Sequence, residues 1–145
     1  MTAGCDELFD ELWNHFAQPR SWRVYDDVAD CFAALRSVGF ELAVASNFDA
    51  RLIEVCRGHA PLKDLRLFYS SALGYAKPDR RFFAAVEQEL SAQPDQLTLV
   101  GDDLNADQEG ATNAGWQSVL IDRSGTSGEP SLNTLADLPE LLASP

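Results

Sequence analysis

The residues best suited to chemistry lie in Leu97-Thr98-Leu99-Val100-Gly101-Asp102-Asp103-Leu104-Asn105-Ala106-Asp107. There a short apolar run stops at a glycine and three carboxylates follow within six residues. The apolar run reads as a buried parallel strand, bounded by Gln93-Pro94-Asp95 upstream and Gly101 downstream. In an open α/β sheet the carboxyl ends of the strands are where ligands bind, and carboxylates there are hard oxygen ligands that suit Mg²⁺. Asp or Asn at a strand-to-helix turn also serves as a helix N-cap. A cap needs one acid, however, and three are present, which favours a metal or phosphate role.

Two further positions follow predicted strands: Ser46-Asn47 after Phe40–Ala45, and Lys77 after Leu67–Tyr69. Taken singly, Ser46 reads equally well as a helix cap, and Lys77 reads better as a solvated loop lysine. Taken together with the acidic cluster, they supply a hydroxyl, an amide, a cation and metal-binding carboxylates. A phosphoryl group requires that set: donors for its oxygens, a positive charge, and a divalent ion to clamp the rest.

The elements that must position these groups alternate between strands and helices. Residues 6–17 carry Leu8, Phe9, Leu12, Trp13 and Phe16 at helical spacing, as a core or interface stripe ended by Pro19. Helices are predicted over 27–38, with Gly39 as C-cap, and over 49–58, 79–90, 105–114 and 133–143. Pro78 is placed in the first turn of the helix over 79–90, Asp26-Asp27 reads as an N-cap, and Gly115 ends the helix over 105–114. Strands are predicted over 40–45, 67–69, 97–100 and 117–121, with a Gly/Ser linker over 124–129. This order implies an α/β domain with a parallel sheet of about four strands and right-handed crossovers.

Composition narrows the setting. At 145 residues with 46% apolar content, the chain suits one domain with a real core. The net charge of −12 argues against nucleic acid and anionic membranes as partners. Cys5, Cys31 and Cys56 are odd in number and scattered, which points to free thiols in a reducing cytosol and thus to a cytoplasmic protein. His15 and His59 lack zinc-type spacing, and no apolar run approaches the roughly 20 residues of a membrane span.

With these motifs in order, the chain resembles the haloacid dehalogenase superfamily of phosphatases and dehalogenases over roughly residues 22–122. Val44-Ala45-Ser46-Asn47-Phe48-Asp49 is similar to its second motif, Gly74-Tyr75-Ala76-Lys77-Pro78-Asp79 to its third, and Val100-Gly101-Asp102-Asp103 with Asp107 to its fourth. The run Gly110-Ala111-Thr112-Asn113-Ala114-Gly115-Trp116 continues the pattern. The resemblance implies a Rossmann-like core, with Ser46 and Asn47 binding a phosphoryl group and Lys77 stabilising the charge of the intermediate. It implies Mg²⁺ held directly by Asp102, with Asp103 and Asp107 acting through water or by orienting Lys77. A phosphorylated small molecule or phosphate is then the ligand. Residues 1–25 resemble the tail of a helical cap with its connector, and 26–145 the core. A two-component receiver has the same residue types, but in a different order.

The family's attacking aspartate normally ends a first strand that precedes the cap. Nothing here fits it: Cys5-Asp6-Glu7 lies in a helical pattern and Asp26-Asp27 follows no strand. The resemblance therefore implies a member truncated at its N-terminus, without the nucleophile and most of the cap, and inactive or very weakly active. The alternative is a non-catalytic module that binds Mg²⁺ and phosphate or another protein. The absent strand would leave a gap of about 10 Å mid-sheet, whose unpaired backbone groups are costly. The expectation is that strand 40–45 pairs directly with strand 97–100, or that the chain forms a homodimer.

Overall fold

The computed structural model describes residues 3–144. The chain runs α1 (Ala3–Phe16), α2 (Val28–Ser37), β1 (Ala43–Ser46), α3 (Arg51–Arg57), β2 (Arg66–Tyr69), α4 (Ser70–Leu73), α5 (Arg80–Leu90) and β3 (Thr98–Gly101). A π-helical turn, Leu104–Glu109, then leads into α6 (Gly110–Asn113), followed by β4 (Gln117–Leu120) and α7 (Leu138–Ala143). The α/β class and the strand–helix alternation are as the hydrophobic pattern implies. No helix among the described residues is long and apolar enough to cross a membrane.

The strands form two parallel pairs. Ala43 to Ser46 of β1 lie opposite Arg66 to Tyr69 of β2, and Thr98 to Gly101 of β3 lie opposite Gln117 to Leu120 of β4. No ladder joins β1 to β3 among the described residues, so the expected direct pairing of these strands does not occur. Two helical layers hold the pairs in common and explain why. On one face Phe68 of β2 and Leu99 of β3 share a cluster with Phe82, Phe83 and Val86 of α5 and with Trp116. On the other, Cys31 and Leu35 of α2 and Leu138 of α7 collect Leu42, Val100 and Val119. Phe82 and Phe83 are fully buried. Drawing β1 onto β3 would displace both rings from a close-packed layer, and such layers do not yield cheaply. Among the described residues β1 and β3 thus each keep one edge without a strand partner. Ala43 is exposed and Val44, Thr98 and Val100 are only half-buried, whereas interior parallel strands are normally covered on both faces.

Several boundaries differ from the pattern. The first strand begins at Ala43, not Phe40, and Phe40 is exposed. Helix α5 begins at Arg80 with Asp79 as its N-cap, the carboxylate accepting from Arg81 N at 2.9 Å. Pro78 therefore precedes the cap and follows a cis peptide bond to Lys77, outside the helix it was expected to start. Asp27 sits at the N-cap of α2 but makes no cap bond. The last helix starts at Leu138 after a single 3₁₀ turn, Leu135–Asp137. Gly39 and Gly115 take the positive φ that helix ends require.

The apolar stripe of α1 is not part of the core. Leu8, Phe9, Leu12, Trp13 and Phe16 are 41–61% exposed. Only its C-terminal end is held. The Arg51 guanidinium stacks 3.7 Å from the Trp13 ring centre and donates to Trp13 O at 3.3 Å, and Trp22 packs on both Phe16 and Phe48.

Candidate functional site

Lys77 is fixed by a clamp that begins at the end of β1. Asn47, one residue past the strand, accepts from Lys77 N through Oδ1 and donates through Nδ2 to Lys77 O, both at 2.8 Å. Its side chain is thus spent on the lysine backbone, which makes Asn47 a positioning residue in this geometry. From below, Pro78 rests on Gly110, where an added Cβ would lie 3.0 Å from Pro78 Cβ. Gripped on both sides, the Lys77 side chain runs inward and is 8% exposed. Its Nζ donates to Ala45 O at 3.0 Å and to Asp107 Oδ1 at 2.5 Å. Two of the three ammonium protons are then used, and one is left for a ligand.

Asp107 reaches the lysine because of Gly101. The chain turns after β3 so that a Cβ at Gly101 would lie 2.2 Å from Asp107 Oδ2; only a residue without a side chain lets the carboxylate fold back over the strand end. The wide π turn from Leu104 to Glu109 directs Asp107 inward, a geometry common at functional sites. Asp107 Oδ2 accepts from Asp103 N at 3.2 Å. A buried pair gains little from Coulomb attraction alone, because both ions lose water. Here the Ala45 carbonyl takes a second lysine proton and the Asp103 amide the second carboxylate oxygen.

The three acids therefore divide their tasks. Asp107 accepts a hydrogen bond from Lys77 Nζ. Asp103 caps the turn, its Oδ1 accepting from Ala106 N at 2.7 Å. Asp102 is exposed and makes no side-chain hydrogen bond among the described residues. No group of three His, Cys, Asp or Glu side chains among the described residues comes together as a metal cradle. What the geometry offers Mg²⁺ is the single carboxylate of Asp102, which suits an ion that keeps most of its waters and binds phosphate oxygens besides. Ser46 ends β1 directly after Ala45, whose carbonyl accepts from Lys77 Nζ; it is half-buried, with a hydroxyl that makes no hydrogen bond among the described residues. Ser46, Lys77 and the acidic turn thus meet at one rim.

Two features of the rim and its supports escape a reading of the sequence. Asp49 and Arg51 form a fork-to-fork pair, with Arg51 Nη2 to Asp49 Oδ2 at 2.7 Å, and the stacked guanidinium ties α1 to the residues after Ser46. The Asp-x-Arg spacing repeats at Asp79 and Arg81, and that repetition was the available signal. Asp27, read as a cap, accepts instead from Arg123 Nη1 and Nη2 (2.8 and 3.0 Å), Thr134 Oγ1 (2.8 Å) and Leu135 N (2.9 Å). The Arg123 guanidinium and these further donors outweigh burial and hold its carboxyl far below the usual range. No local pattern signals a partner 96 residues away.

Comparison with known proteins agrees with the geometry. The family model of haloacid dehalogenase-like hydrolases matches residues 2–115. Haloacid dehalogenase-like hydrolase domain-containing protein 3 of Mus musculus is 32% identical over 113 residues, 77% of this chain and 45% of that protein. Glyceraldehyde 3-phosphate phosphatase of Methanothermobacter thermautotrophicus is 29% identical over 112 residues, 74% of this chain and 48% of its own. The crystal structure of a HAD phosphatase from Thermococcus onnurineus superposes with a TM-score of 0.82 at 24% identity, covering 93% of this chain and 64% of that one. The chain spans about half the length of the curated relatives it matches. A family match over residues 2–115, most of the chain, makes this protein a member of the haloacid dehalogenase-like hydrolases.

Proposed function

We propose that this chain is the phosphate-handling part of a Mg²⁺-dependent phosphate-ester hydrolase acting on a phosphorylated small molecule. The observation that carries the reading is the Lys77–Asp107 pair, which spans from the end of β1 to the turn after β3. The lysine keeps one proton to spare, and the carbonyl it bonds belongs to Ala45, the residue before Ser46. In this reading Ser46 and Lys77 donate to phosphoryl oxygens, Asn47 and Asp107 hold Lys77 in place, and Asp103 shapes the turn. Asp102 would hold Mg²⁺, which when bound neutralises phosphoryl charge.

The attacking carboxylate is the part this group of side chains does not supply. The unpaired edges of β1 and β3 support delivery by an extended apolar segment lying parallel to both strands and ending in Asp-x-Asp near Lys77. Such a segment would pair the free edges and place an aspartate where an acyl phosphate forms. Alone, the chain is then inactive or very weakly active, since removal of a nucleophile costs about 10⁶ in turnover in a well-studied unrelated hydrolase. Residues 1–25 fit the same reading as a piece of a helical cap, with the exposed stripe of α1 as its uncovered side.

Hydrolysis of p-nitrophenyl phosphate with and without Mg²⁺, together with calorimetric titration of inorganic phosphate, tests this. Turnover abolished by Asp102→Ala identifies a working hydrolase. Phosphate binding without turnover identifies a binding module that awaits its nucleophile or has lost it. Absence of both overturns the reading.

A further inference from the structure

The clasp between Asn47 and Lys77 is not protected by burial, because Asn47 is exposed. Asn47 also stands past the end of β1, where no ladder bond fixes the backbone. Water competes for both bonds of the clasp, so they persist only if the segment after Ser46 is held by other means. Two anchors hold it. The Phe48 carbonyl accepts from Ser70 Oγ at 3.0 Å and from Ser71 N at 3.2 Å. The second anchor is Arg51. Its Nε donates to Asp49 Oδ1 at 2.8 Å and its Nη2 to Asp49 Oδ2 at 2.7 Å, while its backbone N donates to Asp49 Oδ1 at 3.0 Å. These bonds close a ring over Ala50 and fasten the segment to the first turn of α3, whose Val55 and Cys56 are buried.

The other arm of the clasp carries the same arrangement. Asp79 follows Lys77 by two residues, as Asp49 follows Asn47, and accepts from Arg81 N at 2.9 Å and Arg81 Nη2 at 2.6 Å. The two forks differ in their access to water. The Arg51 and Asp49 side chains are 18% and 28% exposed, against 67% and 34% for Arg81 and Asp79. The Trp13 ring covers the Arg51 guanidinium at 3.7 Å, and Arg51 Nη1 donates to Trp13 O at 3.3 Å. Arg81 has only the exposed Tyr75 ring, 4.5 Å away. A charge-assisted fork shielded from water holds its geometry, whereas an exposed one contributes little. A planar guanidinium can fork and stack at once, which an ammonium cannot do.

We infer that Arg51, seated on Trp13, is a positioning residue for the phosphate site. It holds the segment from Asn47 to Asp49 so that Asn47 keeps its grip on the Lys77 backbone, and Arg81 has no such role. The consequence for ligand binding rests on the proposed phosphate site at Ser46 and Lys77. The hold on the clasp is a property of the chain itself and is measurable without a ligand.

Two amide protons provide the test, followed by NMR hydrogen exchange on the full chain. The Lys77 N–H, donated to Asn47 Oδ1, reads the clasp. The Ile121 N–H, donated to Gly101 O, reads the rest of the fold. Arg51→Lys keeps the charge and loses the fork. It is expected to speed exchange at Lys77 about fivefold, the scale of one hydrogen bond, and to leave Ile121 unchanged. Affinity for inorganic phosphate, by calorimetry in Mg²⁺ buffer, is expected to fall by a similar factor. Arg81→Lys, the same change in the exposed fork, is expected to alter either quantity by less than about twofold. Trp13→Ala is expected to act as Arg51→Lys does, and Trp13→Phe, which keeps a ring for the guanidinium, to restore both quantities. Should Trp13→Ala fail to fold, Arg51→Lys carries the test. Exchange at Lys77 that is unchanged in Arg51→Lys, that rises equally at Ile121, or that Arg81→Lys speeds as much, overturns the positioning role. Absence of phosphate binding in the unsubstituted chain overturns the phosphate site, and exchange at Lys77 still decides the role of Arg51.

Discussion

A lysine ammonium that is 8% exposed and a carboxylate that is 9% exposed persist in a protein interior only as partners. Among the described residues Asp107 pairs with no other cation, and its second oxygen accepts from the Asp103 amide. Lys77→Met leaves that carboxylate buried with a backbone donor and no counter-charge. The expected loss is about 3–5 kcal/mol in urea denaturation. Lys77→Met combined with Asp107→Leu is expected to recover much of that loss, since removing both members of a buried pair is often close to neutral. A single substitution costing under about 1 kcal/mol would show a pair screened by solvent and not the strut drawn here. The same geometry explains why Gly101 is glycine and why Asn47 is spent on the lysine backbone. Both residues serve the position of one nitrogen.

Among the elements, α2 and the segment after β4 are joined by one carboxylate. Asp27 takes four hydrogen bonds from Arg123, Thr134 and Leu135, and its folded-state acidity is raised accordingly. A carboxyl whose pKa is depressed by folding stabilises the fold fully above its unfolded value, near pH 4. That contribution is lost as pH falls from there towards the folded value. Asp27→Asn is expected to cost about 2 kcal/mol at pH 7, the scale of hydrogen bonds to a charged group. The gap from the unsubstituted chain is expected to narrow steadily below about pH 4, as read from urea midpoints along a pH series. A gap independent of pH would assign the cost to shape and not to charge. This contact also marks where sequence reading stops. Strand and helix order, the glycine stops at Gly39 and Gly115, and the meeting of Ser46, Lys77 and Asp107 follow from periodicity and from the rule that ligands gather at strand ends. The division of labour among the acids does not, because which of Asp102, Asp103 and Asp107 turns inward depends on the π turn and the missing Cβ of Gly101. Strand pairing was misjudged for a related reason. A costly unpaired edge predicts closure, but the packing of Phe82 and Phe83 decides the spacing, and helix layers formed by residues far apart in sequence are invisible to a local pattern.

For the whole molecule the telling quantity is surface. The chain exposes 9178 Å², whereas a compact monomer of its 15.9 kDa mass exposes about 7,400 Å². The surplus of about 1,800 Å² exceeds the roughly 800 Å² that one partner contributes to an ordinary interface. On α1 Leu8, Phe9, Leu12, Trp13 and Phe16 are all exposed. In a pure solution the available cover for that stripe is a second copy of the chain. Charge opposes it: Asp6, Glu7, Asp10 and Glu11 share the helix with the stripe, and each copy carries −12 overall. Apolar contact is insensitive to screening, whereas repulsion between exposed acids falls as the Debye length shrinks from about 30 Å at 0.01 M salt to about 8 Å at 0.15 M. Self-association is therefore expected to strengthen with salt, the reverse of an interface built on ion pairs. Sedimentation velocity across that salt range is expected to pass from monomer towards dimer at a fixed protein concentration. Phe9→Glu, placing a fifth acid on the helix and the first within the stripe, is expected to hold the chain monomeric throughout. A sedimentation coefficient that stays monomeric at every salt concentration, or a dimer that dissociates as salt rises, would rule out this pairing through α1.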